Sequence, residues 1–180
     1  MEYEKRIRKF KLMKDECLGH ASSITYEFED YLIKNGFFTA PASAGHHGAV
    51  DGGLFDHSYN VTNALINLTN KLNLEWQNPR SPFIVGMFHD LCKIDDYKKI
   101  SDDKFEYNQN KPFDGHGDKS VMYLAQHLQL TEEEMYCIRW HMGAFDDKEN
   151  WKYYSAAVKK YPNVLYTHTA DMIASQVWNI

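Results

Sequence analysis

The chain is poor in the features that mark exported, membrane-bound or nucleic-acid-coating proteins. Its three cysteines, Cys17, Cys92 and Cys137, are an odd set without paired spacing. No disulfide framework is therefore expected, and the thiols read as small buried hydrophobes in a reducing compartment. No apolar run approaches the roughly 18 residues needed to cross a bilayer. At the N-terminus, MEYEKRIRKFKLMKDE alternates charged and apolar residues where an export signal would carry a continuous apolar segment. A cytoplasmic protein without membrane association is the expectation. Basic charge is also short. The net charge is −5 and the isoelectric point about 6.0, which excludes a global field for nonspecific nucleic-acid binding. Lys5, Arg6, Arg8, Lys9, Lys11 and Lys14 form the one basic cluster, either a local phosphate contact or the solvated face of a helix. No Pro/Ser/Gly-rich stretch divides the 180 residues, so a single domain over 1–180 is expected.

What is present is helical punctuation. Period-two alternation is scarce, and the pattern predicts an all-α helical bundle. Between Asp56 and Leu74, His57, Val61, Ala64, Leu65, Leu68 and Leu72 recur at spacings of three and four, which places His57 in the first turn of an inward stripe. SPFIVGMFHDLC offers Ser81 as a cap and Pro82 at the first helical position, followed by residues apolar all round. That is a central buried helix ending at His89-Asp90. A third helix is expected after Gly117, with Val121, Leu124, Ala125 and Leu128 inward. TEEE at Thr131 is a capping box that opens a fourth, whose apolar face continues through Met135, Ile138 and then His141 or Met142. Pro162 opens a last helix with Val164, Leu165, His168, Asp171, Met172 and Ser175 on one side. Residues 97–108 read as a short hairpin around SDD.

Separate helices thus deliver His57, His89 with Asp90, His141 and Asp171 to inner faces, and His116 stands just before another. Each alone has a structural explanation as a hydrogen-bonded core histidine or a capping aspartate. Together they form an imidazole and carboxylate set suited to a divalent transition metal, and a cation would offset the several kcal/mol that burial of an ionised carboxylate otherwise costs.

The order His57, His89-Asp90, His116, His141, Asp171 resembles the metal-binding signature of the HD-domain superfamily of phosphohydrolases in its two-metal form. GLFDHS, FHDLCK, GHGDKS, WHMG and HTADMIAS resemble the local segments of that signature, over residues 41–177. Residues 1–40 would then be N-terminal helices in front of the metal-binding core. PASAGHHGAVDGGLFDH and LYTHTAD look most like the HD domain of bacterial 3′→5′ exoribonucleases. The chain departs from that pattern twice: about forty residues precede the core where those enzymes carry an OB-fold, and the family's His-His-Gly reads His141-Met142-Gly143.

The resemblance implies that His57, His89, Asp90 and Asp171 hold one metal and that Asp90 bridges to a second held by His116 and His141. The two ions, of manganese, iron, nickel or zinc, would share a hydroxide aimed at phosphorus. Asp90 and Lys93, the lysine of HD-x-x-K, would be the catalytic pair, with Lys93 holding a substrate phosphate or the leaving oxygen. His46 and His47, in the small-residue loop SAGHHGAVDGG, and His168, one turn from Asp171, are candidate substrate contacts. Cys92 reads as a core thiol. Trp140, Phe145, Trp151, Tyr153, Tyr154 and Tyr161 crowd the last third, where they serve as core or rim or stack a base. The expected activity is hydrolysis of a phosphodiester or phosphomonoester in a nucleotide or short oligonucleotide. Two other readings fit the same ligands: a di-iron oxygenase of HD type and a nucleotide-binding sensor module.

Overall fold

A computed structural model describes residues 1–19, 23–45, 48–102, 104–111 and 115–178. Among these it contains eight α-helices and one antiparallel hairpin, the all-α architecture with a short hairpin that the periodicity predicts. The helices are α1 (Tyr3–Leu18), α2 (Tyr26–Lys34), α3 (Gly53–Leu72), α4 (Ser81–Phe88), α5 (His116–Leu124), α6 (Glu132–Arg139), α7 (Trp151–Lys160) and α8 (Asn163–Met172). Strands β1 (Tyr97–Ser101) and β2 (Lys104–Tyr107) pair Tyr97 with Tyr107 and Lys99 with Phe105. No helix is long and apolar enough to cross a membrane.

The core is built around α4, every residue of which is buried. Its Phe83 and Phe88 pack against Phe10 of α1, and Phe88 also meets Phe28 of α2 and Phe37, with ring centroids 5.3–6.3 Å apart. Such aromatic pairs add about 0.5–1.5 kcal/mol each beyond the area they bury. The long helix α3 lies along α4 with Val61, Ala64 and Leu65 buried against it. Of the basic cluster on α1, Arg6 is not solvated. It donates to both carboxylate oxygens of Asp56 (3.2 and 2.8 Å) and to the Asp51 carbonyl (2.8 Å), fastening α1 to the first turn of α3. Gly52 sits there at φ +75°, and a Cβ would fall 2.1 Å from the Arg6 guanidinium, so the clamp requires glycine.

Three helices run side by side in one direction, α4, α6 and α8, and two buried acids tie their starts together. Glu134 closes the capping box of α6 with Thr131. It also accepts from Arg80 (3.2 Å) and from the Ser81 hydroxyl (2.9 Å) at the start of α4. Glu133 accepts from the Gln77 backbone (2.7 Å) and from Asn163 (2.9 Å) at the start of α8. The opposite ends of the same helices carry His89-Asp90, His141 and Asp171.

This fastening corrects several expected faces. Because Glu133 and Glu134 turn inward, α6 buries Cys137 and Ile138 while Met135 is exposed, and the helix stops at Arg139, leaving His141 in the turn that follows. Ser81 lies inside α4, not at its cap, with its hydroxyl committed to Glu134. Helix α5 stops at Leu124, so Ala125 faces out. On α8, Thr167 and Ala170 face the core and Leu165 is exposed.

Replacing Glu134 with alanine strands the Ser81 hydroxyl and frees Arg80. Urea denaturation is expected to show a loss of about 3 kcal/mol, as for removal of one member of a buried charged network; a loss under about 1 kcal/mol would show that the packing holds the helix starts unaided.

Candidate metal centre

Five histidine and aspartate side chains meet where these helices end. His57, in the first turn of α3, places its Nε2 3.2 Å from His89 Nε2, 3.2 Å from Asp171 Oδ1 and 3.6 Å from Asp90 Oδ2. His89 Nε2 lies 3.4 Å from Asp90 Oδ2, and His141 Nε2 lies 3.4 Å from Asp90 Oδ1. His89, Asp90 and His141 are buried to 3% exposure or less. The two oxygens of Asp90 therefore look in different directions, one to His57 and His89 and the other to His141.

The tautomers can be argued from the partners. His89 Nδ1 is 2.9 Å from the Gly86 carbonyl and His141 Nδ1 is 2.7 Å from the Ile138 carbonyl. A carbonyl only accepts, so each Nδ1 carries a proton, and in the neutral form of the ring this turns the lone pair of Nε2 inward. There it meets carboxylate oxygens, which also only accept. The outcome is visible in the buried polar atoms: among the described residues, Asp90 Oδ1 and His141 Nε2 have no hydrogen-bond partner. Acceptors facing acceptors in a buried place cost free energy unless a cation sits among them. Donor atoms about 2.1 Å from a shared transition metal ion lie roughly 3.0–3.5 Å apart, and the spacings here match. The residues present fit a metal.

Three groups of potential ligands share members: His57, His89 and Asp171; His89, Asp90 and His141; and Asp90, Cys92 and His116. The donor atoms within each lie within 4.8 Å of one another. His116, at the first position of α5, is half-exposed and has its Nδ1 3.5 Å from Cys92 Sγ and 3.6 Å from Asp96 Oδ2. Those two neighbours occupy its Nδ1 side. Cys92 is fully buried, and burial together with Asp90 and Asp96 pushes its thiol well up, so it is a neutral thiol and a poor nucleophile.

Charge around Asp90 is one-sided. Burial raises its carboxyl, but the ammonium of Lys93, whose Nζ is 2.6 Å from Oδ2, counters that, and the carboxyl is held well below the usual carboxylate range. The same ion pair outweighs desolvation of Lys93 and keeps its ammonium protonated. Asp171 is also pulled down, because its contact with His57 outweighs burial.

The structure distributes the six residues of the sequence reading, His57, His89, Asp90, His116, His141 and Asp171, over these overlapping groups. His168 is a supporting group, its Nδ1 donating to the His141 carbonyl at 2.8 Å. Gly143, at φ +54°, lets the turn pass over His168, where a Cβ would fall 2.6 Å from the ring. His46 and His47 lie outside the described residues. A second group was not anticipated: Lys119, 1% exposed, donates to Asp95 and, at 2.7 Å, to Asp96, while Tyr123 donates to Asp95 at 2.7 Å. The adjacent acids of IDDY were the available signal. This group fixes Asp96 beside His116, the arrangement by which a carboxylate orients a ligating histidine.

Helix polarity reinforces the site. His89 follows the last residue of α4, His141 lies just beyond the end of α6, and Asp171 is in the last turn of α8. The C-termini of α4 and α6, each carrying a partial negative charge, therefore face the centre and favour a cation, while the backbone after α8 continues as a π-helical turn over Ile173–Val177.

Equilibrium dialysis against Mn²⁺ should show uptake by the wild type and its loss in Asp90→Ala. At a thousandfold excess over Kd, bound metal should stabilise the fold by about 4 kcal/mol in chemical denaturation. Asp96→Asn should weaken uptake about 10–100-fold; unchanged uptake in both variants would refute the centre. No family model, curated protein or solved structure matches this chain.

Proposed function

We propose that the protein is a metal-dependent phosphohydrolase that cleaves a phosphodiester or phosphomonoester bond of a nucleotide or short oligonucleotide. The observation that carries the reading is the Lys93 ammonium, 2.6 Å from Asp90 Oδ2, beside a converging set of imidazole and carboxylate donors at the floor of an open cleft. That cleft, of about 310 Å³, is lined by His57, Asp90, Lys93 and Asp171 together with Met142 and Phe145.

By this reading His57, His89, Asp90 and Asp171 would hold one ion, with Asp90 shared with a second held by His116 and His141. Two divalent transition metal ions so held supply electrophilic charge and lower the pKa of water to near neutrality. The protein's own part is positional. Lys93 keeps a fixed positive charge where a phosphoryl oxygen enters the cleft, and its bond to Asp90 leaves it little freedom to turn away. The backbone carbonyls of Gly86 and Ile138 hold the His89 and His141 rings in the ligating tautomer. No serine or cysteine nucleophile is required, which fits the inert state of Cys92. Lys93 also favours hydrolysis over the di-iron oxygenase reading, because an anionic phosphate is what a half-buried ammonium beside the donors complements.

The test loads the purified chain with Mn²⁺ and offers bis(p-nitrophenyl) phosphate, short RNA, cyclic nucleotides and mononucleotides. Turnover of at least one is expected, and Lys93→Met should lower kcat about 10²–10³-fold at unchanged metal content. Absence of turnover with every substrate at full metal occupancy overturns the proposal. A mixed-valent iron signal with substrate-dependent O₂ uptake would replace it with the oxygenase.

A further inference from the structure

Two clefts meet at the short turn after His141. The first is the 310 Å³ cleft over Lys93, whose outer wall is formed by Met142, Phe145 and Met172, with Ser43, Ser175 and Gln176 as its polar rim. The second, of about 260 Å³, opens on His116 and shares Met142 and Phe145 with the first. Phe145 is 68% exposed and shares the wall of the first cleft with Met142 and Met172. It is held there. Its ring lies 6.2 Å from that of His168, itself bonded to the His141 carbonyl, and Gly143 brings the turn down onto the same imidazole. The ring is thus a platform fixed to the support of a proposed metal ligand.

Of the six aromatics singled out in the sequence, Phe145 alone lines either cleft. Trp140 and Tyr153 stack on each other, and Tyr161 donates to Glu132.

Charge limits what else the clefts accept. Among the described residues, Lys93 is the only lysine or arginine lining the first. The second is lined by Asp118, Asp146 and Asp147 against Arg139, whose guanidinium is taken up by Asp118 at 2.6 Å and Asp146 at 3.0 Å. A substrate with further phosphates would carry them away from the centre into a carboxylate-rich wall, where like charge opposes it.

We propose that the substrate is a phosphate ester with a single phosphoryl group and one flat aromatic body, the size of a nucleoside monophosphate, and that Phe145 determines this preference by stacking on the ring. The inference rests on the phosphohydrolase reading and narrows it. The cleft volume lies at the lower end for small-molecule sites, and Gln176 in its lining carries an amide suited to a heteroaromatic edge.

The test uses ligands that cannot be hydrolysed, so that it reads affinity and not turnover. Calorimetry on the full chain loaded with Mn²⁺ compares methylphosphonate, phenylphosphonate and 1,4-phenylenediphosphonate. Phenylphosphonate should bind about tenfold more tightly than methylphosphonate, and the second phosphonate should bring no gain. Phe145→Ala should bring the ratio of the two monophosphonates close to one, and Phe145→Trp should restore it. Equal affinity of the wild type for methyl and phenyl forms overturns the proposal, as does tighter binding of the diphosphonate. Failure of all three ligands to bind the loaded protein would instead overturn the phosphohydrolase reading beneath it, and the inference with it.

Discussion

Acceptor meets acceptor at the centre of this molecule, and the rest of the structure is arranged around that conflict. His89 and His141 each spend their one ring proton on a main-chain carbonyl, so the nitrogens they turn inward have nothing to give to Asp90 or Asp171. Ordinary core histidines resolve such contacts by swapping tautomer; here the Gly86 and Ile138 carbonyls forbid the swap. Two orphaned atoms, Asp90 Oδ1 and His141 Nε2, lie 3.4 Å apart in the interior. An unpaired buried acceptor costs about 1–3 kcal/mol, and a chain that retained two of them side by side without a ligand would have discarded a sizeable part of a typical 5–15 kcal/mol stability.

The scaffold that enforces the conflict is short and stiff. Helices α4, α6 and α8 have only eight to ten residues each. Isolated helices of that length are marginal in water, so their order comes from tertiary contacts. The Glu133–Glu134 network supplies those contacts at one end and the packing of α4 supplies them along the length. The acids thereby do two things: they accept from the donors of Gln77, Arg80, Ser81 and Asn163 within a buried polar network, and they set the register in which three helix ends face one another.

Much of this was legible in the sequence, and the parts that were not share a physical cause. The capping box of α6, the buried run of α4 and the ligand stripe of α3 are local patterns, and local pattern located them. The hairpin was legible for the same reason. The inward turn of Glu133 was not, because its partners Gln77 and Asn163 are 56 and 30 residues away and no periodicity rule places a carboxylate in a core. Arg6 belonged to a cluster that composition assigns to solvent, and its partner Asp56 is 50 residues distant. Lys119, at 1% exposure, is the same case. The metal-competent residues were legible because their chemistry is costly to bury, so each one stood out against its apolar stripe. Phe145 did not stand out from the other five aromatics of the last third, since exposure of an aromatic ring is a property of the folded surface.

The fastening of the three helix starts, with the packing of α4 along the bundle, has a consequence for ionic radius. A frame so held resists splaying to admit a larger sphere, and its inward donors are mainly imidazole nitrogens spaced 3.2–3.6 Å from neighbouring donor atoms. Calcium needs six to eight oxygens at about 2.3–2.6 Å in a yielding cage. This centre would therefore discriminate against the abundant alkaline-earth ion by size and donor hardness together, a selectivity set in part by two glutamates at the far end of the bundle.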